Sequence, residues 1–208
     1  MVVDEISYLV LSCVFEPLEQ FSQRVRECLG RLHRSTWQFS RGPLDIRQVY
    51  YPRPQAGGAK PMRVVMWAPR SRPDSTVFYP NSADGWATLI ARLSFEGMPD
   101  CISVRSTQVL ETWSVQEVHF IGRGDQTKRM LQLIKEEDGI KFYEQGVPFA
   151  FEDLSVKPKD RVNSRDGTFD FVARLGLDLR DSNFWATDEE AHYLAEERNP
   201  SPVMSCSG

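Results

Sequence analysis

The chain has 208 residues, with 25 Lys and Arg against 29 Asp and Glu, a formal net charge of −4 with neutral histidines. An apolar fraction of 41% is enough for a packed core without a disulfide or metal staple. The acidic excess argues against a dedicated nucleic-acid binder and leaves room for a basic protein partner. No segment approaches the ~20 apolar residues of a membrane-spanning helix. The four cysteines, Cys13, Cys28, Cys101 and Cys206, form no C-x-x-C pair. Without a secretion signal they predict reduced thiols and a cytoplasmic protein. The run Tyr8–Cys13 resembles a lipoprotein cleavage site only superficially, because Asp4 and Glu5 precede it and no Lys or Arg does.

In chain order, Ile6 to Phe15 reads as a buried strand. Pro17 suits a first helical turn, and Leu18, Phe21, Val25, Cys28, Leu29 and Leu32 follow at helical spacing. Residues 35–60 are less patterned: Ile46 to Tyr51 fits a strand, and Pro52 to Gly58 is a loop by composition. Met62 to Trp67 reads as a strand and Val77 to Tyr79 as a short extended piece. Ser82 can cap a helix from Ala83 that puts Trp86, Leu89, Ile90 and Leu93 on one face and ends at Gly97 and Pro99.

Cys101 to Val109 and Trp113 to Ile121 are strand-like, and Gly122 to Asp125 turns the chain. Arg129 to Glu136 and Ile140 to Tyr143 flank Glu137-Asp138-Gly139, where Asp-Gly predicts a hairpin turn with both central residues at positive φ. Asn163 to Gly167 reads as a loop, and Thr168 to Leu175 as a helix with Gly176 as its C′ residue. Phe184 and Trp185 form an apolar anchor, and Asp188 to Arg198 is charged and helix-permissive. These elements predict an α+β fold: an antiparallel β-sheet (meander) packed by a few amphipathic helices. Residues 1–198 form a single domain, and 199–208 a disordered tail.

The sequence lacks phosphate-loop, dinucleotide and zinc-helix motifs and the nucleophile elbow. His33, His119 and His192 are not spaced as metal ligands, so no metal, no cofactor and no catalytic residue is expected. Pro99-Asp100 with Glu117-Val118-His119 loosely resembles the acidic pair of a metal-dependent nuclease, with His119 where a Lys belongs. An enzyme using Asp100 and Glu117 is therefore one alternative, and an effector-binding chaperone or adaptor is another. The carboxylates Glu136, Glu137 and Asp138 at the hairpin tip could steer a basic partner. Tyr143 and Trp113, at strand ends, are candidate anchors, with core packing as the alternative reading of both. The basic residues Arg63, Arg70, Arg72, Lys157, Lys159, Arg161 and Arg165 lack the interleaved aromatics of a base-stacking surface and point to internal ion pairs.

Gly139-Ile140-Lys141-Phe142-Tyr143-Glu144-Gln145-Gly146-Val147-Pro148-Phe149-Ala150-Phe151-Glu152-Asp153, followed by Lys159-Asp160-Arg161, Leu175-Gly176-Leu177-Asp178 and Phe184-Trp185, resembles the C-terminal part of immunity proteins from bacterial polymorphic-toxin and type VI secretion loci. Gly85-Trp86, opening an amphipathic helix, fits the same group, so the resemblance spans roughly residues 76–185. Pro158 and the segment 163–167 depart from the pattern, where a more continuous helix belongs. The resemblance implies a cytoplasmic α+β protein without catalytic residues. It would bind one cognate toxin domain, a nuclease being the natural guess, and cover or lock its active site. It implies neither a nucleic-acid nor a membrane partner.

Overall fold

The computed structural model describes residues 5–32, 36–50, 61–107, 114–124 and 126–197. They form an α+β fold built on one antiparallel sheet. The strands are β1 (Tyr8–Val14), β2 (Thr36–Gly42), β3 (Arg63–Trp67), β4 (Thr76–Pro80), β5 (Cys101–Thr107), β6 (Val115–Gly122), β7 (Gln126–Glu136), β8 (Gly139–Gly146) and β9 (Ala191–Glu197). Their spatial order is β2-β9-β3-β4-β1-β5-β6-β7-β8. From β5 to β8 the chain is a meander, each strand pairing with the next. The other half is interleaved. The helices are α1 (Leu18–Leu32), α2 (Ala87–Phe95), a single turn α3 (Pro158–Arg161) and α4 (Arg165–Arg174).

β1 lies inside the sheet with a helical layer on each side, so both of its faces are apolar. Leu9, Leu11 and Cys13 join a core with Trp67, Ile102, Val104 and Val118 under Phe169 and Val172 of α4. Val14, Met66, Phe78 and Leu194 meet Phe21, Val25 and Leu29 of α1 and Ile90 and Leu93 of α2 on the opposite side. The anchor at 184–185 closes the first core: Phe184 is buried, and its carbonyl accepts from the Trp67 indole N–H at 2.9 Å.

Four local expectations give way to other interactions. Ile46–Gln48 is a short 3-10 helix and not a strand, because the Asp45 carboxylate accepts the Arg47 N–H and folds the chain back. The helix expected from Ala83 starts only at Ala87. Residues 83–86 are turns, with Asp84 Oδ1 accepting the Trp86 N–H at 3.1 Å and Gly85 and Trp86 at φ 67° and 57°. α4 starts inside the expected 163–167 loop, since the Ser164 hydroxyl caps the Gly167 N–H at 3.1 Å. The hairpin loop is Glu137–Asp138, and positive φ falls on Gly139, the first residue of β8, leaving Asp138 outside the left-handed region.

The largest departure is at 188–198. The segment is not helical: Ala191–Glu197 is strand β9, hydrogen-bonded between β2 and β3. Ala and Glu favour a helix locally, but burial of Ala191, His192 and Leu194 and two ladders of backbone hydrogen bonds override that preference. Trp113, the 52–58 loop and the 199–208 tail lie outside the described residues.

Leu194 is 1% exposed on an internal strand, so Leu194→Ala should cost about 2–5 kcal/mol. Glu197→Ala, at an exposed strand end, should cost under about 0.5 kcal/mol. Urea unfolding of both variants checks this, and equal small losses would count against β9 as an internal strand.

Candidate functional site

Burial fades from the sheet interior toward β8. In β7, Arg129, Leu131 and Leu133 are buried while the alternating Met130, Gln132 and Ile134 are only partly so. β8 has no fully buried residue. The α1/α2 layer packs over β3, β4, β1 and the Cys101 and Ile121 ends of β5 and β6. Further along those strands the same face turns polar. Register places Val10, Arg105, Glu117, Gln132 and Tyr143 in one cross-strand row, and Ser12, Ser103, His119, Met130 and Gln145 in the next.

Within the first row Arg105 donates to Glu117 Oε2 through Nε at 2.9 Å and also through Nη2. Gln132 donates to the same oxygen. Glu117 is only 6% exposed, so this bonding compensates its desolvation. Burial opposes the charge on Arg105, but Glu117, with Tyr8 and Asp84, raises its pKa above the ordinary arginine value. A recess of about 180 Å³ lies between this part of the sheet and the start of α2, with Ser103, Arg105 and Glu117 on one side and Ala87 and Ala91 on the other.

The opposite face of β7 carries a second charged cluster. Arg129 donates to Glu152 Oε1 at 2.8 Å and Oε2 at 2.6 Å, and to Glu144 at 2.7 Å. Arg161 adds a 2.5 Å contact to Glu152, and the Phe149 N–H adds another at 2.9 Å. The Arg129 and Glu152 side chains are 1% and 0% exposed. Burial pushes the Glu152 carboxyl up, but the Arg129 hydrogen bonds, the Phe149 N–H and Arg161 outweigh it and hold the pKa below the ordinary value. The cluster pins residues 149–161 beneath the hairpin. Two of its members, Glu152 and Arg161, belong to the Phe151-Glu152-Asp153 and Asp160-Arg161 runs of the sequence.

The structure separates the expected site residues. Glu136 and Asp138 both contact Lys141, at 2.5 and 3.2 Å, which leaves Glu137 as the exposed carboxylate without a partner among the described residues. Those two contacts raise the Lys141 pKa. Tyr143 is 44% exposed on the polar face, while Trp113 lies outside the described residues. Asp100 pairs with Lys128 at the far end of β5, whereas Glu117 faces Arg105. At ~3.3 Å per residue the two acidic positions are roughly 16 Å apart along the sheet. His119 Nε2 lies 3.0 Å from Thr127 Oγ1. His192 is buried on β9, and burial lowers its pKa despite Glu19 at 3.5 Å. Among the described residues no group of three His, Cys, Asp or Glu side chains is placed to hold a metal ion.

Of the basic residues expected in internal ion pairs, Arg70 meets Asp188 and Arg161 meets Glu152. Arg72 and Arg165 instead donate to the carbonyls of Gly176 and Ile6. Sequence reading passed over Arg105 and Arg129. The available signal was strand parity, which puts Arg105 in phase with Ser103 on the polar face and Arg129 in phase with Leu131 and Leu133 on the buried one.

No helix among the described residues is long and apolar enough to cross a membrane. Comparisons with protein-family models, curated proteins and solved structures return no match.

Removing the charge of Glu152 takes away the carboxylate that Arg129 and Arg161 share and leaves Arg129 only the more exposed Glu144. Glu152→Gln should cost about 3–5 kcal/mol at neutral pH. Because the folded pKa is depressed, the stabilisation from Glu152 is fully present above the unfolded value of about 4.3 and is lost as pH falls through the folded one. Urea unfolding from pH 7 to 3 should therefore show the gap between wild type and variant narrowing below about pH 4. A constant gap would rule out the charge as its origin.

Proposed function

We propose that this protein is an immunity protein that binds one bacterial toxin domain in the cytoplasm through the β7–β8 hairpin and the polar face beside it. The observation that carries the reading is the state of β8. It is an eight-residue outer strand with Ile140 59% and Tyr143 44% exposed, held in place from one side by the Arg129–Glu152–Arg161 cluster. Alternate residues of such a strand turn their N–H and C=O groups away from the sheet, ready to receive a strand of a partner. A long uncovered edge invites aggregation unless charge protects it or a partner covers it, and Lys141 supplies one protecting charge.

Tyr143 supports the anchor role because its ring combines apolar area with a hydrogen-bonding end. Glu137 and Asp138 at the exposed tip support steering of a basic surface, such as that of a nuclease toxin. Covering the toxin's active site with this hairpin would neutralise it without chemistry by the immunity protein itself. The alternative enzyme reading requires Asp100 and Glu117 to act together, and no geometry here favours it.

Co-expression with the product of the neighbouring gene in a sensitive host, followed by co-purification, tests the proposal. The expected result is rescued growth and a complex that retains the toxin's C-terminal domain when the client is truncated. A complex formed instead with an N-terminal client segment would indicate a chaperone or adaptor. Toxicity without rescue or a complex would overturn the reading. Within a complex, Tyr143→Ala should weaken affinity by about 2 kcal/mol, near thirtyfold. Exchanging Glu137 and Asp138 for Lys should slow association about tenfold at low salt, with the difference vanishing at high salt. Calorimetry and stopped-flow mixing measure the two effects separately.

A further inference from the structure

The recess between α2 and the polar sheet face contains hydrogen-bonding groups that the fold leaves unused. Arg105 engages Glu117 through Nε and Nη2, and both bonds, with that from Gln132, converge on Oε2. Among the described residues Arg105 Nη1 and Glu117 Oε1 have no hydrogen-bond partner, and neither atom is sealed from solvent. The Glu117 side chain is only 8% exposed, so its spare oxygen is an acceptor in a largely desolvated place. The Ser12 and Ser103 hydroxyls lie 2.6 Å apart. One donates to the other, which leaves one hydroxyl proton over. At the rim α2 begins without a side-chain cap. An uncapped helix start adds backbone N–H groups that seek acceptors.

From these groups we infer that the recess is a binding site for a small uncharged ligand bearing a primary carboxamide. The amide N–H₂ donates to Glu117 Oε1. Its carbonyl accepts from Arg105 Nη1 or the spare serine hydroxyl. Charge selects the class. Asp84 and Glu117 against Arg105 leave the lining with one excess negative charge when His119 is neutral, which disfavours a carboxylate. An ammonium ion would leave the donors of Arg105 and the serine pair unsatisfied and would face the guanidinium. Ala87 and Ala91 keep the opposite wall small, and the recess of about 180 Å³ has room for a small ligand. This inference does not depend on toxin binding: the recess can be filled or empty whether or not the hairpin has a partner.

The test is a titration of the isotope-labelled full chain, followed by amide NMR shifts, with three near-isosteric probes: propionamide, propionate and propylammonium. Propionamide should give saturable shifts centred on Ser103, Arg105 and Glu117 with a dissociation constant in the millimolar range. The two ions should bind at least about tenfold more weakly, since each leaves buried polar groups unpaired. Ala91→Leu should fill the recess and remove the propionamide response while the Arg105–Glu117 pair stays in place. Ser103→Ala deletes one hydroxyl without adding bulk, and should weaken binding several-fold even if the leucine variant folds poorly. Absence of saturable shifts, equal response to all three probes, or undiminished binding in both variants would overturn the site. None of these results bears on the co-purification experiment.

Discussion

The contact between Arg129 and Glu152 places two full charges where solvent barely reaches them. Ions in such a position are costly to desolvate, and attraction compensates only when geometry is good and the remaining donors and acceptors are used. Here both carboxylate oxygens accept from Arg129, one also from Arg161 and the other from the Phe149 backbone. The network therefore joins strand β7 to a segment with little regular structure. Within that segment Phe149 stacks on Phe151 at 5.4 Å, and it packs against Phe120 of β6 at 5.7 Å. Gly146 makes the crossing possible: a side chain there would bring Cβ to 2.1 Å from the Lys128 carbonyl oxygen.

The consequence is a molecule with two regimes. Around β1 and β3 the sheet is a middle layer, apolar on both faces. From β5 outward one face remains packed while the other carries cross-strand rows of mainly polar side chains. The packed face holds the outer strands in a single geometry, so a partner meeting the open face would not bear the entropic cost of ordering them. The cross-strand row from Arg105 to Tyr143 thus couples a rigid backing to a hydrogen-bonding front that becomes exposed at Tyr143.

Much of this was legible. Alternating or continuous apolar runs marked β1, β3, β5, β6 and β7, and the helical spacing from Leu18 to Leu29 marked α1, because periodicity follows directly from which faces are buried. The meander was readable from the hairpin signal at 137–139. Strands β2 and β9 were not. The buried Ala191, His192 and Leu194 lie among helix-permissive residues, and their extended form is imposed by neighbours distant in sequence. For the candidate site, the place of Glu137 at an exposed turn and of Tyr143 at a strand end could be read from the sequence, but not that Tyr143 is 44% exposed and outside the core. The pairing of Glu136 and Asp138 with Lys141, and the meeting of Arg129 with Glu152, depend on register and on a chain crossing that a linear pattern does not encode.

The place of β9 also bears on how the chain reaches this form during synthesis. β2 pairs with β9 alone, and its Gln38 bonds to Glu197 across 159 residues. A ribosome elongating at ~5–20 residues per second would expose residues 36–42 for many seconds before β9, their strand partner among the described residues, emerges. β3 would likewise present one unpaired side until then. The meander and α4 can assemble earlier from nearer contacts, whereas the other end of the sheet waits for the last strand to slide between two that are already made. A nascent chain of this protein therefore presents unpaired edges of β2 and β3 to proteases and to self-association until β9 has emerged.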